Sequence, residues 1–331
     1  MKKSLFVIFI VFCLVLSAEA QTKVGTTAAG FLQIGPASRI MSMGEAAGAL
    51  ATDVTSLYWN PALGADLTQN QVYFNHISWF ADIKLEYGIL MLNLGNWGKV
   101  AASFYTLNSG QIEVTTEERP EGTGEKYDAQ DLMIGLTYAR RLTDRFGIGG
   151  TVKFIRSTIW NMNASTMAMD LGLAYQTPLQ PVVIAMSISN FGGEMQMTGT
   201  DAAIRFDPDP RVSGNNDGIV GYQATRSWDL PVNFRFGISY KLLNSANNHL
   251  VINSDILYPN NNQNYVNVGA EYRFMNICFL RTGYRQLFLD RSEGGLSLGM
   301  GLKYRNLQVD YGFADHGRLN AVQYFALGFM F

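Results

Sequence analysis

Asn320-Ala321-Val322-Gln323-Tyr324-Phe325-Ala326-Leu327-Gly328-Phe329-Met330-Phe331 closes the chain. Counting back in twos from Phe331 puts Phe331, Phe329, Leu327 and Phe325 on one face. Met330, Gly328, Ala326, Tyr324, Val322 and Asn320 fall on the other. A period of two belongs to a strand, not a helix. One face is large and apolar, and the other is small or mildly polar. Two folds accept such a strand. In a soluble sandwich the apolar face packs on a second sheet. In a transmembrane barrel it faces lipid, and the small face lines the lumen.

The amino terminus favours the second fold. Lys2 and Lys3 precede an apolar run, Leu5 to Leu16, and Ala18-Glu19-Ala20 precedes Gln21. This is the layout of a secretory signal peptide, too short to span a membrane. Residues 1–20 are therefore expected to be removed. Cys13 lies inside the signal with no small residues before it, which speaks against a lipoprotein site. Without Lys2, Lys3 and Glu19 the chain keeps 23 basic and 26 acidic residues. No polybasic patch points to nucleic acid. Cys278 is the one cysteine left, so no internal disulfide framework is expected. No later apolar run approaches the ~20 residues of a membrane helix. An exported, glycine-rich and aromatic-rich chain without such a helix points to a closed barrel, the other structure that satisfies its backbone in hydrocarbon. The aromatic end resembles the C-terminal insertion signal of bacterial outer-membrane barrels. Phe325, Leu327, Phe329 and Phe331 carry that resemblance, which implies the barrel-assembly machinery as a partner and outer-membrane lipid as the surroundings.

From Gln71 onward the alternation recurs in fourteen stretches: 71–79, 83–92, 98–108, 128–140, 145–158, 165–176, 181–191, 229–242, 249–258, 264–274, 277–288, 295–305, 306–313 and 319–331. Val232, Phe234, Phe236, Ile238 and Tyr240 alternate with Asn233, Arg235, Gly237, Ser239 and Lys241. The even connections are short, from Asn93–Trp97 to the corner at Arg305-Asn306. The two longest, Ser109–Tyr127 and Gly192–Trp228, fall in the odd set. Outer-membrane barrels show this asymmetry, with short periplasmic turns and longer extracellular loops. Alternation also points Lys153, Asp170, Arg235, Lys241, Glu271, Arg273, Arg281, Arg285, Lys303, Arg305 and Asp310 inward. Charges shielded from water need partners, so these are expected to pair with one another or with residues 21–69.

Residues 21–69 do not alternate. They are rich in small residues, and Pro61 after Asn60 favours a turn over a strand. Leu50, Leu57, Tyr58 and Trp59 are unlike a disordered tail. The expectation is a compact plug. Within it, Arg39, Met41, Met43 and Gly44, then Asp53, then Leu57-Tyr58-Trp59-Asn60-Pro61-Ala62 form a pattern. That pattern resembles the N-terminal signature of the PorV/PorQ family, within the wider FadL-like outer-membrane proteins. Glu45 stands where a small residue is usual, and Leu63-Gly64 reverses the common order. The resemblance implies a plug followed by fourteen strands. It further implies service in type IX secretion, beside the translocon and in contact with the C-terminal signal domains of cargo. FadL-like proteins proper imply a different task, passage of hydrophobic small molecules.

Side chains with chemical potential are few. The histidines are His76, His249 and His316. His76 and Ser78 share one face of the first strand, next to Asn75. An outer-membrane lipase needs such a pair plus a polar group that orients the histidine. No glycine-flanked serine elbow is present, so no enzyme activity is expected, and no cofactor or metal. In the loop Phe206–Gly218, Asp207, Asp209, Asn215, Asn216 and Asp217 offer oxygens. Arg211 intrudes, however, and no terminal glutamate follows, so the EF-hand spacing fails. Phe206, Asp207, Asp209, Arg211 and Asp217 are instead candidates for protein contact, because loops on a rigid scaffold carry recognition. Ser109–Tyr127 is the second such loop. Cys278 should face outward near the periplasmic rim. Tyr240, Tyr258, Tyr272, Tyr304 and Trp97 read as an interfacial girdle.

The whole reads as an all-β, fourteen-stranded antiparallel transmembrane barrel in the cell outer membrane. Its parts are a signal peptide (1–20), a plug (21–69) and a barrel (70–331). The leading function is a PorV-type secretion component, and the alternative is a FadL-like channel. A channel predicts a continuous apolar pocket between plug and wall. A secretion component predicts a filled lumen and an apolar patch on the outer loops.

Overall fold

The computed structural model describes residues 24–331 except 52, 179–180, 208–210, 212–217, 291 and 293. The expected signal peptide, Asp209 and Asp217 lie outside the described residues. Fourteen long strands form the wall. They are β1 (Gln71–Ser78), β2 (Lys84–Asn93), β3 (Lys99–Asn108), β4 (Ala129–Thr143), β5 (Phe146–Ile159), β6 (Met162–Gln176) and β7 (Val182–Gly192). Then follow β8 (Asn233–Asn244), β9 (Asn248–Pro259), β10 (Tyr265–Phe274), β11 (Cys278–Leu287), β12 (Leu296–Tyr304), β13 (Leu307–Asp315) and β14 (Ala321–Met330). Each pairs antiparallel with its sequence neighbours. β1 pairs with β14 from Gln71↔Met330 to Ser78↔Gln323, which closes the ring. Closure removes every edge, so the wall satisfies its own backbone in hydrocarbon.

The strands carry the alternation read from the sequence. On β14 and just beyond it, Phe325, Leu327, Phe329 and Phe331 are exposed toward lipid, while Val322, Tyr324 and Ala326 are buried inside. On β8, Phe234, Ile238 and Tyr240 face out, and Arg235 and Ser239 are buried. Connections at one end of the ring are short throughout. The other end carries residues 109–128 and 193–232, and is extracellular by the same asymmetry. One connection at this end, Trp160-Asn161, is nevertheless short. Two inward expectations need correction. Lys241 and Arg305 are exposed at the periplasmic rim. Lys241 sits near the end of β8, and the Arg305 guanidinium lies over the Tyr304 ring, 5.5 Å from its centroid. The rim is where alternation stops reporting on the lumen.

Residues 24–67 lie inside the ring and run from its outer mouth to its base. At the top, the Ala28 amide donates to the Asp229 carbonyl (2.9 Å), and Asn261 Nδ2 donates to Thr27 Oγ1 (2.9 Å). At the base, Asp66 accepts from Arg141 Nε (2.9 Å) and Gln176 Nε2 (3.0 Å). Short helical turns fill the path, at Gly30–Gln33, Ser38–Met41, Val54–Tyr58 and Pro61–Asp66. Asp53 caps the third by accepting from the Thr55 amide. Asn60 caps the fourth, with Pro61 at its first position. Both are favoured starts, because the cap oxygen satisfies an orphan amide and proline lacks the donor that would be orphaned. The principal apolar core lies between this segment and the wall: Phe31, Ile40, Met43 and Leu57 meet Tyr73, Tyr87, Tyr105 and Met133. Elsewhere the contact is backbone-close. A side chain at Gly283 would overlap the Met43 backbone, and one at Gly172 would overlap the Asn60 amide.

Candidate functional site

The interior is built around paired charges. Arg39 of the segment grips Glu271 of β10 with two bonds, Nε to Oε2 at 2.8 Å and NH2 to Oε1 at 2.6 Å. Its NH1 reaches Asp53 at 3.0 Å. Arg281 on β11 donates to the same Glu271 (2.8 Å) and to Asp310 on β13 (2.6 Å). A second cluster joins Arg235 to Asp255 (2.8 Å) and to Glu45 (3.1 Å). Asp255 also accepts the amides of Ala47 and Gly48. A third joins Lys153 to Asp170 (2.6 Å) and Asn190 (2.9 Å). Two-pronged pairs of this kind fix geometry as well as charge. The expectation that inward charges pair with one another or with the segment is met at Lys153, Asp170, Arg235, Glu271, Arg281 and Asp310. Glu45, the departure from the family pattern, accepts from Trp59 Nε1 at 2.9 Å as well as from Arg235.

The motif residues stand at the centre of this packing. Tyr58 donates to the Leu32 carbonyl (2.8 Å). The Trp59 carbonyl accepts from Ser187 on β7 (2.8 Å). Asn60 Nδ2 donates to the Gly48 carbonyl (3.0 Å) and lies 3.3 Å from the carbonyls of Leu173 and Met186, while Pro61 and Ala62 are buried against β5 and β6. Little space remains between the motif residues and the wall. A gap beside Tyr58, Trp59, Lys153 and Arg235 holds about 50 Å³, and one beside Leu57, Tyr87 and Met133 about 10 Å³. Such gaps suit water, whereas ligand pockets run to roughly 300–1,000 Å³.

The outer mouth differs. Within residues 193–232 a small hairpin pairs Ala203–Phe206 with Ile219–Tyr222. Its Ile204, Phe206, Ile219, Val220 and Tyr222 are all exposed. Phe206 ends the first arm, Asp207 follows it, and Arg211 is exposed beyond. Below the hairpin, an apolar cleft of about 510 Å³ is lined by Met197, Ala202, Tyr222 and Ala224. Another of about 380 Å³ lies between the top of the inner segment and the wall, lined by Ala28, Ser157, Ala164, Met195, Met197 and Trp228. The other long loop forms a shorter hairpin, Ile112–Glu113 with Lys126–Tyr127.

The histidines separate. His249 bonds Asn244 Oδ1 (2.8 Å), and His316 packs against Trp79 and Phe80 in the outer loops. His76 and Ser78 do come together, and a third residue joins them that sequence reasoning missed: Glu86, directly opposite His76 in the β1–β2 register. A tight five-residue connection at 79–83 was the available signal, since it places 76 against 86.

Comparison with known proteins agrees with this architecture. A family described as "Type IX secretion system protein PorV" matches residues 17–179, which include the inner segment and β1 to β6. The chain belongs to the PorV family. It is accordingly an outer-membrane protein of the type IX secretion system class, with a FadL-like barrel. No curated protein matches this PorV-family sequence. Among solved structures, the toluene transporter TodX of Pseudomonas putida is similar at 12% identity and a TM-score of 0.58, over 89% of this chain and 96% of that one. The monoaromatic hydrocarbon channel CymD is similar at 14% identity and 0.58, over 90% and 98%. The toluene transporter TbuX of Ralstonia pickettii is similar at 12% identity and 0.58, also over 90% and 98%. At these identities the likeness concerns the fold alone.

Proposed function

We propose that this PorV-family barrel serves type IX secretion by holding protein partners, cargo C-terminal signal domains or the translocon, at its outer mouth. Residues 21–69 act in this reading as a plug that keeps the lumen shut. The observation that carries it is the contrast in space and polarity. The interior is packed to gaps of about 50 Å³ or less beside the motif, while exposed apolar side chains gather on the extracellular hairpin. Exposed apolar clusters of this kind mark interaction surfaces. Phe206, Val220 and Tyr222 are the residues placed to meet a partner.

The test is the surface and secreted proteome of a deletion strain complemented with wild type or with Phe206→Asp/Val220→Asp. Cargo bearing type IX signals should accumulate unprocessed in the periplasm of the deletion strain, and partly so in the double variant. An unchanged proteome in the deletion strain sinks the reading. The second reading, uptake of hydrophobic small molecules, draws on the two outer clefts, whose volumes suit such ligands. Uptake of labelled toluene into the same strains distinguishes the two.

A further inference from the structure

One polar patch interrupts the lipid-facing surface of β1, β2 and β14. The register sets its outward side chains in rows. From the periplasmic side these are Phe329–Val72–Leu90, Leu327–Phe74–Gly88, Phe325–His76–Glu86 and Gln323–Ser78–Lys84. The first two rows are apolar. The third and fourth stand where the apolar band gives way to the extracellular surface. There Glu86 Oε1 lies 2.6 Å from His76 Nδ1, and Ser78 Oγ lies 3.4 Å from His76 Nε2. Hydroxyl, imidazole and carboxylate are joined in that order through the two different ring nitrogens.

This order has a chemical consequence. A carboxylate on Nδ1 holds the proton there, which leaves the Nε2 lone pair aimed at the serine. A serine so placed is activated by its neighbour as general base, and 3.4 Å is the looseness of a site without substrate. The constellation is defined by geometry and roles, not by the fold or chain order that supports it. Structure does not require it. Polar side chains on the lipid side of a barrel are unfavourable, and Glu86 Oε2 is buried with no partner. The sequence alone argued against catalysis because no glycine-flanked serine elbow is present; the fold adds Glu86 as a group that orients the histidine.

We propose that Ser78, His76 and Glu86 form a serine acyl-hydrolase centre that faces the outer leaflet and cleaves long-chain carboxylic esters of membrane lipids. Ser78 Oγ attacks the ester carbonyl as its proton passes to His76 Nε2. The carbon–oxygen bond to the lipid alcohol then breaks, and the alcohol leaves with that proton. Water from the extracellular side gives its proton to Nε2 and attacks the acyl-serine. The acyl–Oγ bond breaks, Ser78 recovers its proton, and a free fatty acid departs. The sum is ester plus water to alcohol plus acid, with no oxidant or metal required. Lys84, opposite Ser78 in the outermost row, places a cation at the level of an anionic headgroup. The proposal uses the wall and not the loops, so it stands or falls apart from the secretion reading.

The full-length protein in detergent would be exposed to a fluorophosphonate probe. It would then be given either phosphatidylethanolamine vesicles or purified lipopolysaccharide, with released fatty acid measured by mass spectrometry. The expected result is a label on Ser78 and release in one arm, which identifies the lipid. Ser78→Ala and His76→Asn should lower release by roughly 100-fold or more. Glu86→Gln should slow labelling and displace its pH profile, with part restored by Glu86→Asp. All variants should keep the heat-dependent gel mobility of a folded barrel, because these side chains face away from the packed interior. Wild type that takes no label, and releases no more acid than Ser78→Ala from either lipid, overturns the proposal.

Discussion

Glu271 and Glu86 stand on two faces of one wall and meet opposite surroundings. Glu271 points inward and uses both oxygens, on Arg39 of the segment and Arg281 of the wall. Glu86 points outward and touches His76 through one oxygen, with the other unpartnered. Inside, a carboxylate is part of what holds the segment in place. Outside, it supports nothing that the barrel needs. Polar residues in a membrane protein thus divide by whether their loss leaves another charge stranded.

The sharpest way to break this contrast is Glu271→Ala. It leaves two buried guanidinium groups without their shared carboxylate, a loss on the order of 3–5 kcal/mol. Urea unfolding in detergent, followed by gel mobility, should show the midpoint fall accordingly, and an unchanged midpoint would refute the role given to the inner face. Next in size is Gly172→Val. Its side chain enters the space of the Asn60 amide and the Pro61 ring. Overpacking of this kind costs about 1–3 kcal/mol. It should also expose residues 24–67 to limited proteolysis while the wall stays intact.

Acid provides a smaller test at the outer rim. Burial, with Arg285 nearby, lowers the His316 pKa to about 3 from an ordinary 6.5. A base held neutral in the folded state contributes stability above pH 6.5, and that contribution is lost as pH falls toward 3. Stability should decline over that window, and less so in His316→Gln. NMR titration of the ring would show a midpoint near 6.5 if its burial against Trp79 and Phe80 were wrong. Smallest of all is the outer carboxylate. Glu86→Gln should move the unfolding midpoint by less than about 0.5 kcal/mol, and a larger loss would make Glu86 a structural residue after all.

Most of the wall was legible in the sequence, because lipid on one side and a packed lumen on the other impose alternation on every strand. Phe234, Phe236 and Ile238 against Arg235, Gly237 and Ser239 leave little choice of face. Residues 24–67 were legible as a stretch apart from the wall, from their small residues and from Tyr58 to Ala62, and the first wall strand begins at Gln71. Partner choice was not. Which inward arginine meets which carboxylate depends on stagger around the ring and on where the segment passes, and neither is local. The patch on β1 and β2 was hidden for a related reason. His76 and Ser78 are visible as neighbours on one face, but Glu86 joins them only if the hairpin register is right, and a slip of one residue would turn it into the lumen. Glu45 shows the converse: a misfit to the family pattern on paper, it is bonded to Trp59 and Arg235 in the fold.

The course of residues 24–67, from the outer mouth down to the base where β1 begins, joins the filling of the ring to its seam. The seam is β1 against β14, the first strand and the last. The segment is tied at both ends of the lumen to Asp229, Asn261, Arg141 and Gln176, which belong to β4, β6 and the connections after β7 and β9. The strand that bears Phe325, Leu327 and Phe329 is the clasp of the structure: it completes the ring that these ties span.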